Sequence, residues 1–378
     1  MHQNRARTFS TAVAVCAAYL IGVVVGAQEE RPLESAIAEA VKAGTLKRLH
    51  ACLVIYQGET LAEIYFGGAD EKWGRKQGVV QHGPDTLHDV RSITKSVTAL
   101  LYGIALTEGK VPGPDAPLLA QFPEYADLAG DPLRDKITVG DALTMKMGTE
   151  WDESLPYTDR RNSEVVMNRS PDPDRYALDR PMVFEPGTRW TYNGGAASLI
   201  GKLIADGTGT KLDDYAREKL FEPLGIKRWE WARRPDGVPS AASGLRLTAR
   251  DLARIGQMIL AGGVFEERSI VSRDWLDEAF RPHTSLRGIR YGYLWWLADA
   301  SDPRAWVTGL GNRLPGAGEW PAWMAGMGNG GQRLQIQPDI GLIIVAFAGD
   351  YNNPQDWVMP VRIIEEDVTA ELHRRLAK

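Results

Sequence analysis

Strand-like text is confined to the two ends of this chain, and that distribution constrains the fold more than any other feature. Near the N-terminal end, residues 51–56 and 60–66 form two runs on either side of Gln57-Gly58-Glu59, the pattern of a hairpin. Near the other end, residues 332–337 and 342–347 flank Pro338-Asp339 in the same way. Between them, from about 92 to about 224, the text is helical and loop-rich, punctuated by Pro, Asp and Gly. Further helices are expected over 32–44, where Leu33, Ile37 and Val41 recur, over 248–262 with Thr248 as N-cap, and over 272–280. A closing helix carries Val361, Ile364, Val368 and Leu372 on one face. The polar stretch from Gly67 to Pro84 reads as a connection. Strands from both ends must meet to bury their apolar faces. The economical solution is an α+β fold: an antiparallel sheet built from both chain ends with flanking helices, plus an inserted, mainly helical subdomain. Its parts would be 28–90 with about 226–378, and about 91–225.

The first 27 residues read as a cleavable signal peptide. Arg5 and Arg7 precede an apolar run from Phe9 to Val25, and Val25-Gly26-Ala27 offers small residues before Gln28. An uncleaved segment would anchor the protein in a membrane instead. Either way the remaining chain is expected outside the cytoplasm, and with cleavage it is expected to be periplasmic or secreted. Cys16 lacks the preceding leucine of a lipoprotein signal. Removing these residues takes away two arginines and leaves 42 basic against 49 acidic side chains, a net charge of −7. That balance, with no dense Lys/Arg block, argues against nucleic acid as a partner. Only Cys52 then remains, so an internal disulfide is excluded and stability must come from a core. The oligomeric state is not legible.

Ser92-Ile93-Thr94-Lys95 supplies the first chemistry. Residues three apart share a helix face, and Val97, Leu100, Leu101, Ile104 and Ala105 continue the helical spacing to a stop at Gly109, with Asp89 as a plausible N-cap. A serine hydroxyl becomes a nucleophile when a base takes its proton, and a lysine serves when its pKa is depressed. The first helical turn favours an oxyanion and disfavours an ammonium. A second piece is the turn-rich loop Pro186-Gly187 to Trp190-Thr191-Tyr192-Asn193-Gly194-Gly195, entering a helix with Ala196, Leu199, Ile200, Leu203 and Ile204 on one face. Tyr192 on that loop could shuttle protons, its phenol pKa lowered by a neighbouring lysine. The third piece is Trp323-Met324-Ala325-Gly326-Met327-Gly328-Asn329-Gly330-Gly331-Gln332. It satisfies G-x-G-x-x-G literally, but a strand follows where a dinucleotide site needs a helix. Glycines opening a strand beside a site let substrate approach the backbone.

With these pieces in order, residues 31–378 resemble the β-lactamase-related serine hydrolases, which include class C β-lactamases, DD-peptidases, β-lactamase-type esterases and aminohexanoate-oligomer hydrolases. The segment from Leu87 to Lys95, the Trp190–Tyr192 loop and the glycine strand carry the resemblance. It implies Ser92 as acylated nucleophile, Lys95 as proton acceptor and Tyr192 as partner acid/base. It further implies an oxyanion hole made by the N–H of Ser92 and one from the glycine strand, placed on Asn329 with Gly326-Met327-Gly328 as the third motif. Gly194, Gly326 and Gly328 would then face substrate. Two departures bear on substrate choice. Class C enzymes have Tyr-x-Asn where Gly194 ends the motif here, and they carry a cation where Gly326 stands. The expected activity is hydrolysis of a small ester or amide through an acyl-enzyme, without metal or organic cofactor. The alternatives are a β-lactamase or DD-peptidase, and a non-catalytic penicillin-binding sensor or inactive relative.

Other readings of the same residues are weaker. Trp295, Trp296, Trp306, Trp320 and Trp323 suggest an aromatic acyl pocket, although core burial explains most of them better. The histidines at 2, 50, 82, 88, 283 and 373 show no metal-ligand spacing, and His88 reads as structural. Glu150, Asp152 and Glu153 read as a solvated acidic loop.

Overall fold

Seven of the eight residues of Leu49–Tyr56 (β1) are buried, because this strand is covered on both faces. Its alternation sorts side chains into two layers. Cys52 and Val54 join Leu33, Ile37, Ile364, Val368 and Leu372 in one cluster, whereas Ala51, Leu53 and Ile55 belong to the main core. The computed structural model describes residues 32–286, 289–298, 323–353 and 359–376. The proposed signal peptide, Trp306 and Trp320 lie outside the described residues.

The first two strands, β1 and β2 (Glu59–Tyr65), form the expected N-terminal hairpin. The polar connection is itself a hairpin, β3 (Gly67–Lys72) and β4 (Arg75–Gln81), turned at Trp73 and Gly74, whose φ values are 51° and 77°. Its exposed residues carry no alternation that would signal a strand. A short β5 (His88–Asp89) follows. It pairs with β7 (Leu245–Leu247), which also pairs with β6 (Glu230–Trp231). After a two-stranded ribbon, β8 (Val264–Phe265) and β9 (Arg268–Ser269), come β10 (Thr284–Leu286), β11 (Ile289–Tyr291), β12 (Trp296–Ala298), β13 (Met324–Gly328), β14 (Gln332–Gln337) and β15 (Leu342–Ala348). The main sheet runs β10-β11-β12-β13-β14-β15-β1-β2, all antiparallel. The pairing of β15 with β1, Val345 opposite Leu53, joins the two chain ends.

Helices cover both faces of this sheet. On one side α1 (Pro32–Lys42) meets α10 (Met359–Leu376), their apolar stripes closing over Leu342, Ile344 and Ala346. On the other lie α2 (Ile93–Thr107), against β13 and β14, and α8 (Ala249–Leu260), against β1, β14 and β15. Thr248 caps α8 and forms a capping box with Asp251. The helical middle contains α3 (Val139–Leu143), α4 (Ser163–Met167), α5 (Pro173–Leu178), α6 (Gly194–Thr208) and α7 (Leu212–Ala216), with α6 contacting all four others and α2; α9 (Arg273–Ala279) follows α8. The described residues all fall in one compact unit. The architecture is α+β, as the distribution of strand text predicts.

Candidate active site

The turn between β5 and α2 determines where Ser92 sits. Arg91 adopts φ 51°, a left-handed conformation that costs a non-glycine residue about 1 kcal/mol. Its guanidinium is held 3.1 Å from Glu71 and 3.4 Å from Asp89, and lies 4.5 Å from the centre of the Tyr351 ring. Asp89 is therefore no helix cap. It lies on β5, accepts from the Trp73 N–H and pairs with Arg246 at 2.9 Å. Ser92 itself occupies the N-cap position of α2, yet its side chain makes no capping bond. Its hydroxyl is left available for chemistry.

Lys95, one turn along the helix, is 1% exposed and donates to Ser92 Oγ at 3.3 Å and to the carbonyl of Ala242 at 2.9 Å. The Lys95 amine also lies 4.9 Å from the centre of the Tyr192 ring, which brings the third expected residue to the same centre. Two further residues complete the polar centre. Glu164 Oε2 lies 3.6 Å from Lys95 Nζ, its carboxylate 3% exposed, while its other oxygen accepts from Ser243 at 2.7 Å. Glu153 accepts from Trp151 Nε1 at 2.6 Å, from the Tyr157 hydroxyl at 2.8 Å and from the N–H of Gly194 at the start of α6. Sequence reading places Glu153 on a solvated loop and overlooks Glu164. Trp151 and Tyr157 flanking Glu153 are a usable sign, since both carry a polar hydrogen that needs a buried partner.

These carboxylates reverse two expectations about proton affinity. Burial alone would lower the Lys95 pKa, but Glu164, Tyr192 and Glu153 outweigh it, and the ammonium is stabilised. Burial raises the Tyr192 pKa more than the neighbouring Lys95 lowers it. Burial and the adjacent Glu164 push Glu153 up to about 7, against the opposing pull of Lys95. The resting site therefore holds its proton on the Lys95–Tyr192 pair.

The glycine positions have steric explanations. A Cβ at Gly194 would fall 2.4 Å from Glu164 Oε2 and 3.0 Å from Glu153 Oε1, so the two carboxylates occupy the space that an asparagine would need. Asn193 instead caps α6, accepting from the Ala196 N–H at 3.0 Å. On β13, a Cβ at Gly328 would meet the Val90 carbonyl at 2.4 Å, and one at Gly326 would meet Ile93 at 3.0 Å. Both glycines thus let the strand close onto the residues flanking Ser92. Asn329 follows the end of β13, and its side chain exchanges two hydrogen bonds with Asn352, whose Oδ1 also accepts from the Tyr157 N–H. This ties the glycine strand to the Glu153 loop.

Of the tryptophans singled out by the sequence, Trp296 alone among the described ones joins the site. Its ring stacks on Tyr192 at 5.9 Å and packs against Trp190 at 5.6 Å and Tyr291 at 5.1 Å. Trp295 is core beside Phe280, and Trp323 packs with Ala298 and Ala325.

Comparison with known proteins identifies the family. The β-lactamase family model matches residues 45–365. The 6-aminohexanoate-dimer hydrolase of Paenarthrobacter ureafaciens is 26% identical over 304 residues, covering 78% of this chain and 71% of that protein. The lovastatin esterase of Penicillium rubens is 24% identical over 253 residues, 61% of this chain and 60% of that one. A penicillin-binding protein homologue from Caulobacter crescentus has the same fold, with a TM-score of 0.65 at 19% identity over 91% of this chain and 99% of its own. The chain belongs to the β-lactamase family, as a hydrolase of amide or ester bonds.

Proposed function

We propose that the protein cleaves a small ester or amide through an acyl-enzyme on Ser92, with Lys95 and Tyr192 as its proton-transfer partners. The observation that carries this reading is the uncapped Ser92 hydroxyl 3.3 Å from the Lys95 amine, which itself lies 4.9 Å from the centre of the Tyr192 ring. Once the Lys95–Tyr192 pair has given up one proton to solvent, Ser92 Oγ attacks the substrate carbonyl as its own proton passes to the pair, and the N–H groups of Ser92 and Asn329 receive the oxyanion. The pair returns the proton to the departing alcohol or amine, and water then releases the acid by the reverse sequence. Gly194, Gly326 and Gly328 border the substrate, and the Trp190, Tyr192, Tyr291 and Trp296 cluster receives an apolar part of it. Glu164 beside Lys95 and Glu153 at the Gly194 N–H, with no cation at position 326, favour a neutral or cationic substrate over one bearing a carboxylate near the reacting bond. Binding a cation would also weaken the hold of these carboxylates on the Lys95 proton. The N-terminal 27 residues support action outside the cytoplasm.

The test compares kcat/KM for an acetate ester, an amide bearing a free amine, and a cephalosporin, in wild type and Tyr192→Phe. Repulsion between like charges places the cephalosporin about 10²-fold or more below the ester. Tyr192→Phe loses about 10²-fold on every hydrolysed substrate. A cephalosporin turned over as fast as the ester contradicts the substrate reading, and a single acylation without turnover marks a sensor.

A further inference from the structure

Away from Ser92, the fold brings together residues that the sequence shows no reason to connect. His50 from β1, Asp70 from β3, His82 just beyond β4 and His88 from β5 each offer one ligand atom, and these atoms all lie within 4.8 Å of one another. The three imidazoles and the carboxylate are each at most 2% exposed at the side chain. His50 Nδ1 is 2.9 Å from His88 Nε2, His88 Nε2 is 3.4 Å from Asp70 Oδ1, and His50 Nδ1 is 3.9 Å from that same oxygen. His82 Nε2 is 4.0 Å from Asp70 Oδ2. A tetrahedral ion with bonds of about 2.0–2.1 Å has ligand–ligand edges of about 3.3–3.4 Å, so closing the set on an ion needs the widest separation to shorten by at most about 1.4 Å.

We propose that His50, Asp70, His82 and His88 form a structural site for a divalent transition metal of the zinc class. Three observations beyond proximity support it. His82 Nε2 is buried without a hydrogen-bond partner, a vacancy that a metal would satisfy. The other ligands are already oriented: His88 Nδ1 faces the carbonyl of Asp89 at 3.1 Å, turning Nε2 inward, while Asp70 Oδ1 accepts from the Tyr351 hydroxyl at 2.7 Å and from the Glu71 N–H at 2.8 Å. The His50 ring is wedged between two glycines; a Cβ at Gly68 or Gly349 would lie 2.6 or 2.9 Å from its Nε2. The sequence offers no tight spacing for these residues because they come from separate strands. The expectation of no metal site, drawn from spacing, is thereby revised. An ion here would clamp β1 and the β3–β4 hairpin to β5, whose last residue lies three positions before Ser92.

The test strips the purified protein with a chelator and titrates it with Zn(II) and with Co(II), reading bound metal by mass spectrometry, the d–d absorption of cobalt, and Tm. The site predicts about one ion per chain, a tetrahedral cobalt spectrum, and a rise in Tm of about 4 °C at a hundredfold excess over Kd. His82→Gln abolishes stoichiometric binding. Tyr351→Phe, which keeps every ligand, weakens affinity about 10-fold. The proposal is overturned if the wild type takes up less than about 0.1 ion with no change in Tm, or if His82→Gln binds as wild type does. In either case the cluster is only a hydrogen-bonded histidine core.

Discussion

Replacing Glu164 by Gln removes one charge from the polar centre while keeping its shape. The Glu164 carboxylate lies 3.6 Å from the Lys95 amine, with both side chains buried. At an effective dielectric constant of about 20, that separation is worth about 4–5 kcal/mol, or about 3 pK units on Lys95. The Ala242 carbonyl and Ser92 remain as partners of the amine. Burial, which opposes the charge, is then less strongly countered. The variant should therefore release its proton from the Lys95–Tyr192 pair at least about 2 units lower than the wild type, allowing for relaxation. The assay is the pH dependence of kcat/KM for an activated acetate ester from pH 5 to pH 10, with circular dichroism to confirm folding. The wild-type rate should climb through pH 10 without a plateau, because Lys95 is held above its ordinary value. Glu164→Gln should begin to bend toward a plateau near the upper end of that range. A folded variant whose rising limb matches the wild type within about 0.5 unit would refute the claim that Glu164 holds the Lys95 proton.

Two other carboxylate contacts make independent predictions. Glu153 has a folded-state pKa raised from 4.5 to about 7, so its protonated form stabilises the fold fully below about pH 4.5, and this contribution fades as pH rises through 7. Glu153→Gln should remove that dependence, worth on the order of 3 kcal/mol at most, as measured by urea unfolding at pH 5 and pH 8; an unchanged difference between the two pH values would contradict it. Gly194→Ala puts a methyl group 2.4 Å from Glu164 Oε2 and should cost about 1–3 kcal/mol in the same unfolding assay, whereas a neutral effect would show that the carboxylates can move aside.

How far the site could be read from sequence depends on how local its parts are. Ser92 and Lys95 are legible because one helical turn brings them together, and Tyr192 because a glycine-rich loop followed by helical periodicity marks a helix entrance. Glu153 and Glu164 are not legible, since their burial depends on α6 and on Ser243, far along the chain. The β3–β4 hairpin escapes notice because β4 is exposed almost throughout and neither strand shows the alternation produced by a buried apolar face. The sheet joining both chain ends is evident, since β15 alternates Ile343, Val345 and Phe347 toward the main core with Leu342, Ile344 and Ala346 toward α1 and α10. The histidine cluster depends on the register of three strand segments, which residue order does not reveal.

The central claim is that Ser92 carries the acyl group. Incubating the purified protein and its Ser92→Ala variant with a fluorophosphonate, then measuring intact mass and mapping the adduct by peptide sequencing, tests it most directly. The account predicts one adduct per chain on Ser92, and neither adduct nor ester turnover in Ser92→Ala. An adduct on another residue, or full turnover by the variant, would contradict it.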